Sequence, residues 1–163
     1  MEPDLLVYCQ KITPRIRYIL ELILDDILGL HYAATDRISD YESFDGARIC
    51  YHSQPMGAGK ELVILPCGLL TEKAINPHQL SFFDFDSSRA FFPVYSKLSP
   101  IPFDLFAASF YMVSRYEEYL PYMRDEHGRF SAIYGIPMQQ GFLQQPVVNQ
   151  WTLLLKKHLQ ELF

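Results

Sequence analysis

Near the start of the chain, Ile16, Ile19, Leu20, Ile23, Leu24, Ile27 and Leu28 recur at 3.6-residue spacing. That pattern fits one element, an amphipathic helix with an apolar stripe to bury. Its start is written in Thr13-Pro14: a hydroxyl to cap the first turn, then a proline where the missing N–H costs nothing. Arg15, Arg17, Glu21, Asp25 and Asp26 lie off the stripe, and Gly29 closes the helix by taking the left-handed conformation. At about 2 kcal/mol per side chain, burying the stripe contributes roughly 10–15 kcal/mol gross, far more than the cap.

On either side of this helix stand short apolar runs, residues 5–9 and 30–35, which read as buried strands. Strand, helix and strand within about thirty residues make a βαβ unit, whose strands run parallel. Ser39 and Glu42 have capping-box spacing and predict one helical turn. Residues 47–52 alternate, with Ala47, Ile49 and Tyr51 on one face and Arg48, Cys50 and His52 on the other. A turn-rich loop, 53–60, precedes a continuous apolar strand over 61–65 that Pro66 ends. The closeness of these two strands predicts a hairpin, and so a mixed sheet.

Residues 76–102 read as a loop packed by its own aromatics, Phe82, Phe83, Phe85, Phe91, Phe92 and Tyr95. A helix is predicted from Pro102 to about Leu120, where Pro121 stops it, with a loop through Gly141. The stripe Trp151, Leu154, Leu155, His158, Leu159 and Leu162 predicts a last helix. That pattern is still running at Phe163, which leads us to expect a segment of a longer protein. The expected fold is α/β: a mixed sheet with a parallel βαβ unit, flanked by helices, in one domain over residues 1–163.

Composition narrows the function classes. The 163 residues suit one domain, and 49% hydrophobic residues can build a core. Fourteen basic residues against 19 acidic give a net charge of −5, which disfavours nucleic acid as a partner. The start, Met1-Glu2-Pro3-Asp4, is unlike a secretory signal, and the most apolar run is too short for a membrane span. With Cys9, Cys50 and Cys67 at irregular spacing, a disulfide framework is not expected either. The expectation is a soluble, cytoplasmic domain.

Candidate chemistry is sparse. Gly57-Ala58-Gly59-Lys60 lacks the earlier glycine of a phosphate loop, has Glu61 where Ser or Thr would hold magnesium, and precedes a strand; it reads as a hairpin turn. Cys50, His52, Cys67 and His31 would be needed together for zinc, and their spacing alone does not argue it. Asp84 and Asp86 read as turn-formers rather than an acid/base pair. No serine sits in a glycine-flanked elbow, and no cysteine has a nucleophile's context. The stretch around the end of the 102–120 helix is richer. Asp104, Arg115, Glu117, Glu118, Asp125, His127 and Arg129 are the candidate site: a salt-bridge corner, or a contact with another domain or ligand. Two carboxylates at a helix C-terminus oppose its dipole by about 0.3–1 kcal/mol each, so nearby cations are expected to compensate.

Several stretches, 11–19, 68–70, 103–110, 114–121, 125–130, 141–143 and 146–149, resemble the N-terminal region of Bacteroidetes polysaccharide deacetylase-like proteins. The most specific are Ser114-Arg115-Tyr116-Glu117-Glu118-Tyr119-Leu120-Pro121 and Asp125-Glu126-His127-Gly128-Arg129-Phe130. The resemblance implies a following carbohydrate-esterase-type domain, in which a divalent metal held by an Asp and two His activates water. This segment carries no such pattern, so no catalytic residue and no cofactor is transferred to it. The implied role is a non-catalytic accessory domain that docks on the C-terminal deacetylase-like domain, orienting it or touching polysaccharide. The alternatives are a small α/β enzyme or ligand-binding domain with its site near Cys9, Thr35 or Cys67, and a self-association module.

Overall fold

The computed structural model describes residues 1–56 and 59–163. Four strands, β1 (Leu5–Cys9), β2 (Tyr32–Thr35), β3 (Ala47–Tyr51) and β4 (Glu61–Ile64), form one sheet in the order β2-β1-β3-β4. All three pairings are parallel. The βαβ expectation therefore holds for β1 and β2, whereas the hairpin expected between β3 and β4 does not form. Nine intervening residues can reach about 30 Å when extended, enough to return along a five-residue strand and start again beside it. Antiparallel pairing occurs elsewhere, in a separate two-stranded ribbon of β5 (Phe83–Phe85) and β6 (Ser88–Ala90).

The helix after β1 begins as expected. α1 (Pro14–Leu20) is capped by Thr13, whose Oγ1 accepts a hydrogen bond from Ile16 N at 3.2 Å and donates one to Leu70 O at 2.5 Å. Thr13→Ala removes both at once. It is expected to cost about 1–2 kcal/mol in urea unfolding, and Thr13→Ser to recover most of that.

Beyond α1 the helix continues over Glu21–Ile27 as a π-helix, and Gly29 ends it with φ 65°. The wider turn changes the phase of the stripe. Ile16, Ile19, Leu20, Ile23 and Leu24 are buried, but Ile27, which a 3.6-residue period would bury, is 41% exposed. A six-residue helix, α2 (Ile38–Ser43), follows β2. Arg37 rather than Ser39 occupies its N-cap, and Thr35 Oγ1 accepts from Arg37 N instead.

Each sheet face has its own cover. Leu5, Val7, Cys9, Ala47, Ile49, Tyr51, Leu62 and Ile64 belong to the large core with α1 and α3 (Leu105–Val113). Leu6, Tyr8, Cys50 and Val63 face the other way and pack with Tyr41 of α2, Phe44 and Met56. The alternation read in residues 47–52 is thus correct, but both faces are buried. The last helix, α5 (Val147–Gln160), packs outside α3 and against β6, presenting Trp151, Leu154, Leu155 and Leu159 to the core. Among the described residues, no helix is long and apolar enough to cross a membrane.

Candidate functional site

The helix predicted to run to Leu120 stops at Val113. Arg115 then takes a left-handed conformation, φ 53°, and Tyr116–Tyr119 form a separate 3-10 turn. Glu117 and Glu118 are consequently not at the end of α3. Glu117 reaches across to α4 (Ile136–Gln139), where its Oε2 accepts from Ile136 N at 3.0 Å. Burial pushes the Glu117 carboxyl above the usual carboxylate range, with the Ile136 bond opposing. Glu118 pairs with Arg115. Arg115 is mostly exposed, which makes this a contact of small worth.

Of the cations expected to compensate the corner, Arg115 does so through Glu118, whereas His127 and Arg129 are engaged elsewhere. Asp125 Oδ1 accepts from His127 N and Arg129 N, both at 2.8 Å, and Asp125 Oδ2 pairs with Arg129 Nε at 3.3 Å. His127 pairs with Glu126. This loop is a closed turn, fastened by the Arg124–Phe130 bridge and by Tyr122 against Phe130. It joins the corner through Phe130, which lines a cleft of about 200 Å3 together with Arg115, Glu117, Glu118, Ile136 and Leu143.

Asp104 does not belong to that corner; it caps the opposite end of α3. Its Oδ1 accepts from Ala107 N at 3.0 Å, and its Oδ2 accepts from Tyr51 OH at 2.6 Å and Cys67 N at 2.8 Å. The carboxyl is wholly buried. Desolvation raises its pKa although all three donors pull it down. Asp104 therefore ties the start of α3 to the carboxyl-terminal edge of the sheet, where Tyr51 ends β3 and Cys67 follows β4.

At this edge the structure has a crevice of about 220 Å3. Cys9, Ile16 and Tyr51 line it, joined by Gln10, Lys11, His52 and Cys67 from the loops after β1, β3 and β4. It lies between β1 and β3, where the strand order reverses direction: the chain goes from β1 out to β2, then returns to the other side. Open parallel sheets place ligand sites at such points. Cys9 and Cys67, named as markers of such a site, meet there; Thr35 does not.

Burial pushes the Cys9 and Cys50 thiols up to about 12, and Cys67, whose residue is exposed, also rises through partial desolvation and the neighbouring Asp104. That opposes nucleophilic use at neutral pH. The zinc set is not assembled. The Cys50 Sγ–H points to Gln54 O at 3.4 Å on the α2 face, while His31 lies at the far end of the sheet beside Glu2 O. Among the described residues, no three His, Cys, Asp or Glu side chains gather as metal ligands. Asp84 pairs with Arg89 at 3.0 Å, and Asp86 and Ser87, both with positive φ, make the two-residue turn of the β5–β6 hairpin. Residues 57 and 58 of the glycine-rich stretch lie outside the described residues. After Lys60 comes a strand, so no helix begins there.

These features define an α/β protein with a parallel sheet, a crevice at its carboxyl edge and a charged lobe beyond α3. The chain belongs to DUF7033, a family of unknown function that it matches over residues 5–163. No curated protein and no solved structure matches it.

Proposed function

We propose that the chain is a non-catalytic accessory domain that docks, through the lobe beyond α3, on a deacetylase-like domain of the kind its sequence resembles. Support comes from where its large apolar side chains meet solvent. Tyr119, Met123, Ile133 and Leu143 are 67%, 65%, 57% and 54% exposed, and all fall within one stretch of 25 residues. Met138 and Tyr134 are exposed in the same stretch. Leu143 lines the cleft together with the charged Arg115 and Glu118, and Tyr119, Ile133 and Met138 directly follow its lining residues Glu118, Ala132 and Pro137 in the chain. Apolar side chains concentrated within a polar rim are the make-up of a protein-binding surface.

The test is direct binding between this chain and a separately produced deacetylase-like domain from the same genome, followed by calorimetry. Ile133→Asp and Leu143→Asp are expected to weaken the complex at least about tenfold, as loss of a desolvated interface anchor does. Their melting midpoints should stay near the parent's, because both side chains are already in solvent. Absence of binding, or equal binding by both variants, overturns the docking role.

A further inference from the structure

We infer that the crevice at the carboxyl edge of the sheet binds a small hydroxylated carboxylate, a sugar acid in size and chemistry. This site is separate from the docking lobe and does not rest on it. At about 220 Å3 the crevice is smaller than the roughly 300–1,000 Å3 of sites for drug-sized ligands, so its occupant is a small molecule. Its walls come from the loops following three neighbouring strands, and its floor, Cys9, Ile16 and Tyr51, is largely apolar. A compact ring with one apolar face fits such a floor.

The charge of the occupant follows from what lines the crevice. Lys11 supplies an ammonium and His52 an imidazole, while no carboxylate is in the lining. The nearest acid tied to the floor, Asp104, is wholly buried and already holds three donors. Lys11 takes part in no ion pair among the described residues. In a chain of net charge −5, a concave site whose one fixed charge is positive selects a negatively charged group.

The start of α1 offers little to that anion. Thr13 Oγ1 has taken Ile16 N, and Pro14 has no N–H. Recognition falls to side chains: one ammonium for one negative charge, with the Ser53 hydroxyl, the Gln10 amide and the acceptor side of Thr71 Oγ1, whose proton goes to Gly68 O, available from the lining for ligand hydroxyls. That balance matches a singly charged, hydroxyl-rich acid better than a phosphate, which commonly requires several backbone donors.

The experiment is an amide-shift NMR titration of the isotope-labelled whole chain with D-glucuronate, D-glucose and inorganic phosphate. D-glucuronate is expected to shift Lys11, His52 and Gly68 saturably, with a Kd on the order of 1 mM. D-glucose and phosphate should bind several-fold more weakly. Lys11→Ala is expected to weaken D-glucuronate about tenfold, as loss of a charge-assisted hydrogen bond does. Ser53→Trp, which fills the crevice, should abolish the shifts.

No shifts with D-glucuronate, equal binding of D-glucose, tighter binding of phosphate, or undiminished binding by Lys11→Ala would each overturn the proposal. If Ser53→Trp fails to fold, the parent chain and Lys11→Ala, altered only at an exposed side chain, still decide it. The shifts also separate this site from the lobe: a response confined to residues 115–143 would count against the crevice and leave docking open.

Discussion

Asp104→Ala is expected to lower the stability of the fold by about 3–5 kcal/mol, among the largest effects of any single polar substitution here. Three donors lose their acceptor together: Tyr51 OH, Cys67 N and Ala107 N. The phenol is wholly buried and cannot turn to water, and the start of α3 loses its cap. Asp104→Asn keeps an acceptor oxygen and the side chain's shape, so a cost nearer 1–2 kcal/mol is expected, about one hydrogen bond's worth.

The pair also has a pH signature. In the fold, burial raises the Asp104 pKa above its ordinary 3.8, so the native state holds the proton more tightly than the unfolded chain. The stabilisation from that proton is complete below 3.8 and is lost as pH rises through the native value. Asp104→Asn has no such proton. Its stability relative to the parent should therefore improve as pH rises across that window and level off above it. Urea unfolding at a series of pH values measures this; a constant difference would mean that the native pKa is not raised.

Trp151→Ala is expected to cost about 3–5 kcal/mol, the usual range for emptying a large aromatic site. Trp151 is buried between Phe91 and Phe103, with ring centroids at 5.7 and 5.6 Å. Phe91 directly follows β6 and Phe103 directly precedes the Asp104 cap of α3, so the vacated space lies where α5, the hairpin and the start of α3 meet. Trp151→Phe should cost only about 1 kcal/mol, since volume is largely kept and the indole N–H has no protein acceptor to lose. The chain has a single tryptophan, so unfolding must be followed by circular dichroism rather than by its fluorescence. Equal losses for both variants would contradict this account of the packing.

Local signals in the sequence were reliable where one physical term dominated. The Thr13-Pro14 start, the stripe from Ile16 to Leu24 and the alternation of Ala47, Ile49 and Tyr51 all appear as read. Errors arose where the deciding term was distant. The β3–β4 link was short enough to suggest a hairpin, yet both strands are buried at almost every position, the mark of a parallel strand. Arg115 breaks α3 through a left-handed residue that no glycine announces. The hairpin at Asp86-Ser87 had a readable sign, a two-residue turn of types that tolerate positive φ, set between aromatic residues.

The candidate site was legible only in part. Glu117, Glu118 and Arg115 do gather at one cleft. Asp104, expected in the same corner, is separated from Arg115's end of α3 by nine helical residues. Its true partners, Tyr51 and Cys67, lie 53 and 37 positions away in the chain, a pairing that periodicity cannot reveal.

The strand order carries a consequence for synthesis. All four strands of the sheet have been synthesised once Ile64 is made, but α3 begins at Leu105 and α5 ends at Gln160. A ribosome adding about 5–20 residues per second takes seconds to deliver the rest. Through that interval Ile49, Tyr51, Leu62 and Ile64 lack their final cover, and among the described residues β4 has no strand beyond it. The nascent chain thus passes through a stage with a sticky, half-clad sheet, the kind of surface that cellular chaperones hold until the remaining layer arrives.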